Sequence, residues 1–447
     1  MKSFLLAAAL SAAAAPVMAA PKVCADCVKS DMARLAGPEA RGRACGTADE
    51  HAAARYVAER LQAHGIVPAA PGGGYLQQVD YRVPTYASPP TLSVGGARFV
   101  QGETIVAMSV GESAAGPIAL AVDGAADPAA VAGKVLLRDG PFDPRVVSAL
   151  LRAGALVVVV PAPDQVLNAW AELSQRPPAG VEIVGVEGPA PVPRPIVFAK
   201  AEAFAALKAA VGQTATLAAP RGAPRTETSH NVLGVIRGSA SDADRQAILL
   251  SAHYDHVGVK DGVLYPGAND DASGTAAVLE FARLLADGKA PKRTVHFALF
   301  GCEEQGGHGA KLFLARPPLP LTDIAANLEF EMIGLPDPKR PKTLMLTGWE
   351  RSNLGPRLKA EGADIGPDPY PEQNFFQRSD NYQLALKGVV AQTVSAWPIP
   401  PTYHQPTDTV ENLDLTFMAE AIQSLIGPIR WLANSDFRPE WNPGQKP

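Results

Sequence analysis

From His230 onward the chain alternates short, almost wholly apolar runs with helical patterns, and residues able to bind a metal stand where the apolar runs end. Asn231 to Ile236 and Ala247 to Ala252 read as strands, Ser273 to Leu285 as a helix, and Thr294 to Phe300 as a strand again. Further strands are expected at Ile324 to Met332, Thr343 to Leu346 and Val389 to Val394, with a closing helix from Leu415 to Trp431. Uninterrupted apolar strands separated by helices are buried on both faces. The pattern therefore predicts an α/β fold with a mostly parallel central sheet flanked by helices. In such sheets, sites form just beyond the carboxyl ends of the strands.

The strand from Ala247 runs into His253-Tyr254-Asp255-His256. Imidazole is the commonest protein ligand for zinc, and a carboxylate two residues on can hold its free ring nitrogen. Gly267-Ala268-Asn269-Asp270-Asp271-Ala272-Ser273-Gly274 opens the next helix; Asp271 is expected to cap it, which leaves Asp270 as the better ligand. After Phe300 comes Gly301-Cys302-Glu303-Glu304, where adjacent carboxylates lose hydration and repel each other unless a cation is present or one is protonated. Glu331 follows Phe330 at a third strand end, and Tyr403-His404 lies in a proline-rich loop before the closing helix. Each has an ordinary reading as a cap or a solvated loop, but five nitrogen or oxygen ligands at successive strand ends are not an expected coincidence. His256 and His308 lie near these motifs and are expected not to be ligands.

In this order, His253-Tyr254-Asp255, Gly267 to Gly274, Glu303-Glu304, Glu331-Met332-Ile333-Gly334 and Tyr403-His404 resemble metallopeptidase family 28, the co-catalytic zinc aminopeptidases. The resemblance runs over roughly residues 30 to 80 and 225 to 435. Carried across residue by residue, it implies two zinc ions bridged by Asp270, with Glu304 and His404 completing one site and His253 and Glu331 the other. It implies Glu303 as general base, Asp255 as the carboxylate behind His253, and Tyr403 as the hydroxyl that meets the developing oxyanion. The implied reaction is hydrolysis of the N-terminal bond of a peptide with a free N-terminus, by a hydroxide bridging the two ions. Two departures stand out. Glu331 occupies a position where the family often has Asp, and Arg378-Ser379-Asp380-Asn381 stands where Arg-Ser-Asp-His is usual. Arg378 is a candidate substrate contact or, equally, half of a structural ion pair. A carboxypeptidase or glutaminyl cyclase of the same fold, and a non-catalytic peptidase-like binding protein, are the competing readings. Retention of five ligands and the base argues against the non-catalytic protein, the intact His253 and Asp270 favour two metals over the one of a cyclase, and a carboxypeptidase would need cationic groups for the substrate's C-terminus, for which Arg378 is one candidate.

At 447 residues the chain exceeds what one hydrophobic core serves, so more than one is expected. From Val83 to Pro224 the texture changes to many Pro and Gly with short Val, Leu and Ile runs and no cluster of metal ligands. A helix pattern from Arg145 to Ala153 and a strand from Leu156 to Val160 fall within it. This stretch is similar to the protease-associated domain, a β-rich module inserted in exopeptidases. The expected organisation is a signal peptide at 1–19, the first part of the catalytic domain at 20–82, the insert at 83–224, the zinc peptidase domain at 225–437 and a tail at 438–447. The signal peptide is read from Lys2, the apolar run Phe4 to Ala15 and the small residues ending at Ala19. It implies a secreted or periplasmic protein, with no membrane attachment after cleavage. A net charge of -5 without a block of Lys or Arg gives no footprint for nucleic acid. Among Cys24, Cys27 and Cys45 one disulfide of undecided pairing is expected, with Cys302 a small core residue. Thr47-Ala48-Asp49-Glu50 has capping-box spacing and predicts a helix running to about His64, before Gly65.

Overall fold

The computed structural model describes residues 21–121, 128–187 and 195–447; the expected signal peptide lies outside the described residues. The chain divides into two compact units, one comprising Met1–Gln77, Asn231–Ala310 and Pro317–Pro447, the other Gln78–His230 and Lys311–Arg316.

The first unit is α/β. Its main elements in chain order are α1 (Ala25–Ala36), α2 (Ala48–Ala63), β1 (Arg225–Ile236, within this unit from Asn231), β2 (Ala247–His253), α3 (Ser273–Ala286) and β3 (Val295–Phe300). They continue as β4 (Ile324–Phe330), β5 (Leu344–Leu346), β6 (Ile365–Pro367), β7 (Ala391–Ser395) and α4 (Leu415–Asn434). These strands lie in the order β6-β5-β7-β4-β2-β3-β1. The central run β7, β4, β2, β3 is parallel, while β1 is antiparallel to β3 and β5 antiparallel to β7. Every residue of β2 and β3 is buried, as strands covered on both faces must be. Helices α1, α3 and α4 pack on one another, and Met32, Leu279, Phe281, Phe330, Ile422 and Leu425 join one core with the strands.

Register sets the site. His253 pairs with Phe300 and Ser251 with Glu329, so Glu331, two residues beyond Glu329, stands level with His253. The loops after β2, β3 and β4 therefore leave the sheet along the same edge. Helix α2 begins where the capping-box spacing predicts, with Thr47 Oγ1 accepting the Glu50 N–H at 3.3 Å. The Glu50 carboxylate reaches back to the N–H of Gly46 at 2.6 Å rather than that of Thr47, which is already donated to the Ala44 carbonyl at 3.1 Å.

The cysteines correct the sequence reading. Two disulfides form, Cys24–Cys27 and Cys45–Cys302, and no described cysteine is free. Cys302 was expected to stand alone in the core because it follows an apolar strand. Its partner lies 257 residues away, where the pairing of Ala44 with His256 carries Cys45 to the same sheet edge. No local pattern could reveal that contact.

The second unit has its own core and an eight-stranded sheet. Four adjacent strands in it, Ala114–Leu120, Val135–Leu137, Val157–Pro161 and Ile196–Ala199, are mutually parallel. The helix read from Arg145 onward is Pro144–Arg152, started by Asp143, whose carboxylate accepts the Arg145 N–H at 2.8 Å. No helix among the described residues is long and apolar enough to cross a membrane.

Arg43, with no exposed surface, stitches the first unit together. It donates to the carbonyls of Tyr254 at 2.6 Å, Pro266 at 2.9 Å and Gly267 at 2.9 Å, and to that of Leu35. Burial lowers this guanidinium to about 10, with Asp255 and Asp408 acting in the opposite direction. Arg43→Met keeps the length but strands four carbonyls. It is expected to cost about 3–5 kcal/mol of stability, read from urea unfolding; a loss below about 1 kcal/mol would contradict this clamping role.

Candidate metal centre

Each candidate side chain sits where a buried element stops. His253 is the last residue of β2, Glu303 and Glu304 follow β3, and Glu331 follows β4. Asp270 lies in the turn Ala268–Ala272 that opens α3, and His404 in the loop before α4. Three non-glycine residues at these points have left-handed backbones: Cys302 at φ 57°, Met332 at 55° and His404 at 52°. Such conformations persist only where surrounding contacts hold them, and here each turns the chain sharply beside a candidate ligand.

The donor atoms form two groups that share Asp270. In each, the atoms lie within 4.8 Å of one another: His253, Asp270 and Glu331 in one, and His256, Asp270, Glu304 and His404 in the other. His253 Nε2 is 3.3 Å from Asp270 Oδ1, while His404 Nε2 is 3.0 Å from Asp270 Oδ2 and 3.2 Å from Glu304 Oε1. All five ligands read from the sequence thus come together. The structure adds His256, which the sequence reading had set aside: its Nδ1 is 2.8 Å from Glu304 Oε1 and 3.9 Å from Asp270 Oδ2. His308 belongs to neither group.

A scaffold of hydrogen bonds holds the groups in place. Asp255, fully buried, has its Oδ1 3.6 Å from His253 Nδ1, but its carboxylate chiefly accepts the backbone N–H groups of Glu303 at 2.9 Å and Glu304 at 3.3 Å. It therefore ties the Glu303-Glu304 turn to the end of β2. Asp271 accepts the Gly274 N–H at 2.8 Å, the capping role expected, and also the Met332 N–H at 3.2 Å. Asn269 Oδ1 accepts the Gly334 N–H at 2.8 Å, and Ser273 Oγ accepts that of Ile333 at 3.0 Å. These bonds fasten the Asp270 turn to the segment after Glu331. Asp408 accepts the N–H groups of Asn269 at 2.8 Å and Asp270 at 3.1 Å, and burial raises it to about 6. The sequence reading missed Asp408, whose only local signal is its place four residues after His404.

Packing so many ionisable groups together distorts their titration. Burial opposes ionisation of Asp270, but hydrogen bonds to His253 and His404 outweigh it and hold the carboxyl well below the usual range. Burial likewise disfavours charge on His404, yet Asp270 and Glu304 raise it to about 10. Burial pushes Glu331 up to about 7 against the pull of His253. Glu303 is raised well above the carboxylate range by burial, which prevails over His253, with Asp380 and Glu331 adding to the rise. His253 Nε2, His256 Nδ1 and Nε2, and Glu304 Oε1 are buried without a hydrogen-bond partner. Imidazole and carboxylate donors converging in a buried cluster fit zinc, whose charge replaces the protons the groups otherwise need.

Tyr403 stacks on His404 with ring centroids 4.0 Å apart, and its hydroxyl is 3.4 Å from Arg378 Nη2. Burial, then Asp270 and Glu331, raise this phenol, so it stays a donor at neutral pH. Exposed Arg378 lines a cleft beside Glu331 together with Met332, Met345, Phe375 and Tyr403. Asn381, the departure noted in the sequence, is buried and donates to the carbonyls of Phe376 and Ala391 at 3.3 Å each. Its role there is to hold backbone.

Residues 231–427 match the family model described as Peptidase family M28. A vacuolar membrane protease of Candida dubliniensis is 40% identical over 215 residues, 46% of this chain and 21% of that protein. The chain spans under two thirds of the length of the curated relatives it matches. In fold, the chain is similar to an aminopeptidase from Aneurinibacillus sp. strain AM-1, with a TM-score of 0.61 and 20% identity over 92% of this chain and 95% of that one. It is also similar to BSAP, a zinc aminopeptidase from Bacillus subtilis, with a TM-score of 0.56 and 21% identity over 94% of this chain and 97% of that one. The sheet thus brings the cluster together at the strand ends where the sequence put the candidate ligands.

The titration shifts predict a proton count. In the metal-free protein His404, raised to about 10, still carries its proton at pH 7, and zinc binds only the neutral ring. Zinc uptake at pH 7 should therefore release protons, at least one per chain, measured by calorimetry in two buffers of different ionisation enthalpy. Identical apparent enthalpies in both buffers would contradict the proposed state of the site.

Proposed function

We propose that this chain is a two-zinc aminopeptidase that hydrolyses the N-terminal bond of peptides, with His253, Asp270 and Glu331 holding one ion and Asp270, Glu304 and His404 the other. The observation that carries the reading is the pair of buried donor groups joined through Asp270. The naming of BSAP as a zinc aminopeptidase supports the choice of metal.

Zinc in these positions would supply Lewis-acid polarisation of the scissile carbonyl and a water acidic enough to ionise near neutral pH. The side chains supply the rest. Glu303 is held by the Asp255 bond to its own N–H but makes no part of either donor group, so its carboxylate is left to accept the water's proton and return it to the leaving amine. The Tyr403 hydroxyl, in the cleft lined also by Glu331, would donate to the oxyanion as it forms. The substrate's free α-amine would lie among the acidic groups beside Glu331, and its side chain in the cleft lined by Met332, Met345 and Phe375. Arg378, exposed and lining that cleft, would contact the substrate backbone. The second unit is proposed to be the protease-associated-like insert, and the mature chain to act outside the cytoplasm once the signal peptide is removed.

Two measurements test this. On a panel of free, N-acetylated and C-amidated peptides, acetylation should abolish turnover and amidation should not. Equal rates on acetylated and free peptides would rule the reading out, and loss on amidation alone would indicate a carboxypeptidase. Separately, Glu303→Gln should keep near-normal zinc content and lose activity by ~10² or more, whereas Glu304→Gln should lose zinc. The reverse pattern would exchange the roles of base and ligand.

A further inference from the structure

We infer that His256 is itself a metal ligand, so that the two positions are unequal: four protein donors (His256, Asp270, Glu304, His404) surround one, and three (His253, Asp270, Glu331) the other. The inference rests on the two-zinc reading and goes beyond it, since that reading gives each ion a single histidine.

Three observations carry it. First, His256 is fully buried against the cluster, with Nδ1 2.8 Å from Glu304 Oε1 and 3.9 Å from Asp270 Oδ2. With the His404 contacts at 3.0 and 3.2 Å, these separations straddle the ~3.3 Å expected between donors around a tetrahedral zinc with ligands at ~2.0–2.1 Å. Second, both ring nitrogens of His256 and Glu304 Oε1 are buried and left without a well-formed hydrogen bond, and a proton on the imidazole or a metal ion would each supply the positive charge this contact calls for. Third, packing fixes the ring. A side chain at Gly267, which has φ 62°, would place its Cβ 2.3 Å from His256 Cγ, and the His404 ring meets it edge-on with centroids 5.5 Å apart.

The chemical consequence is an asymmetry. Four protein ligands close a tetrahedral zinc site and favour tight retention, whereas three leave a coordination position open to solvent and substrate. The Glu304 position would then hold its ion tightly, and the Glu331 position would be the open, exchangeable one beside the substrate cleft.

X-ray absorption at the zinc edge on the full, zinc-loaded chain counts bound imidazoles without reference to activity. The inference predicts three imidazoles shared by two ions, and two imidazoles on the ion bound when only one equivalent is added. His256→Ala should lower the count by one and weaken the tighter affinity, in competition with a chelator, by ~100-fold or more. If two zinc ions bind with one imidazole each and the variant's count is unchanged, His256 is not a ligand and the two-zinc reading stands. If fewer than two ions bind the wild type, the two-zinc reading fails and this inference with it. The wild-type count decides the question even should His256→Ala fail to fold.

Discussion

Asp270 is the point on which the rest of the site depends. Its two oxygens face opposite groups, Oδ1 toward His253 and Oδ2 toward His404, so one buried carboxylate sets the spacing of both. Burying it with two glutamates and three histidines is tolerable only if positive charge is supplied, by protons in the empty protein or by metal in the loaded one. Much of the surrounding structure holds that carboxylate still. Asp408 takes the two backbone N–H groups of the turn, Arg43 takes the Gly267 carbonyl just before it, and Asn269 and Ser273 fasten it to the strand end that carries Glu331. The precision of the site is that of a hydrogen-bonded frame around one residue.

The disulfide between Cys45 and Cys302 fixes the backbone just before the Glu303-Glu304 turn. Cys302 immediately precedes Glu303 and Glu304, and its left-handed backbone turns the chain out of β3. Joining it to Cys45, two residues after Arg43, links the segment before α2 to the turn that carries the proposed base. Asp255 reinforces the same turn from β2 through the N–H groups of Glu303 and Glu304. The two neighbouring carboxylates, to which different roles are proposed, are thereby given a fixed backbone.

The strand-end histidine and carboxylates were legible in the sequence because period and burial are local properties: an apolar run such as Ala247 to Ala252 announces both its strand and the candidate ligand that follows. Thr47 announced its helix for the same reason. What was not legible depends on contacts across the chain. Cys302 reads as an apolar-strand neighbour until Cys45 is brought to it, and Asp408 as a loop residue until the Asp270 turn is laid against it. His256 was set aside for a different reason. It lies three residues from the candidate ligand His253, and comparison with a known motif discounted it, whereas its approach to Glu304 and the crowding of Gly267 against its ring are visible only in three dimensions. Asn381, suspected because it departs from the familiar pattern, proves to hold two backbone carbonyls. Among the described residues every candidate metal group lies in the first unit, and the second unit's core is its own.

The central claim, two zinc ions sharing Asp270, is tested most directly by anomalous diffraction from crystals of the zinc-loaded protein at the zinc absorption edge. The account predicts two anomalous peaks flanking the Asp270 carboxylate, ~3.5–4 Å apart, one toward His253 and Glu331 and the other toward Glu304 and His404. A single peak at full zinc loading, or peaks that do not touch Asp270, would contradict it.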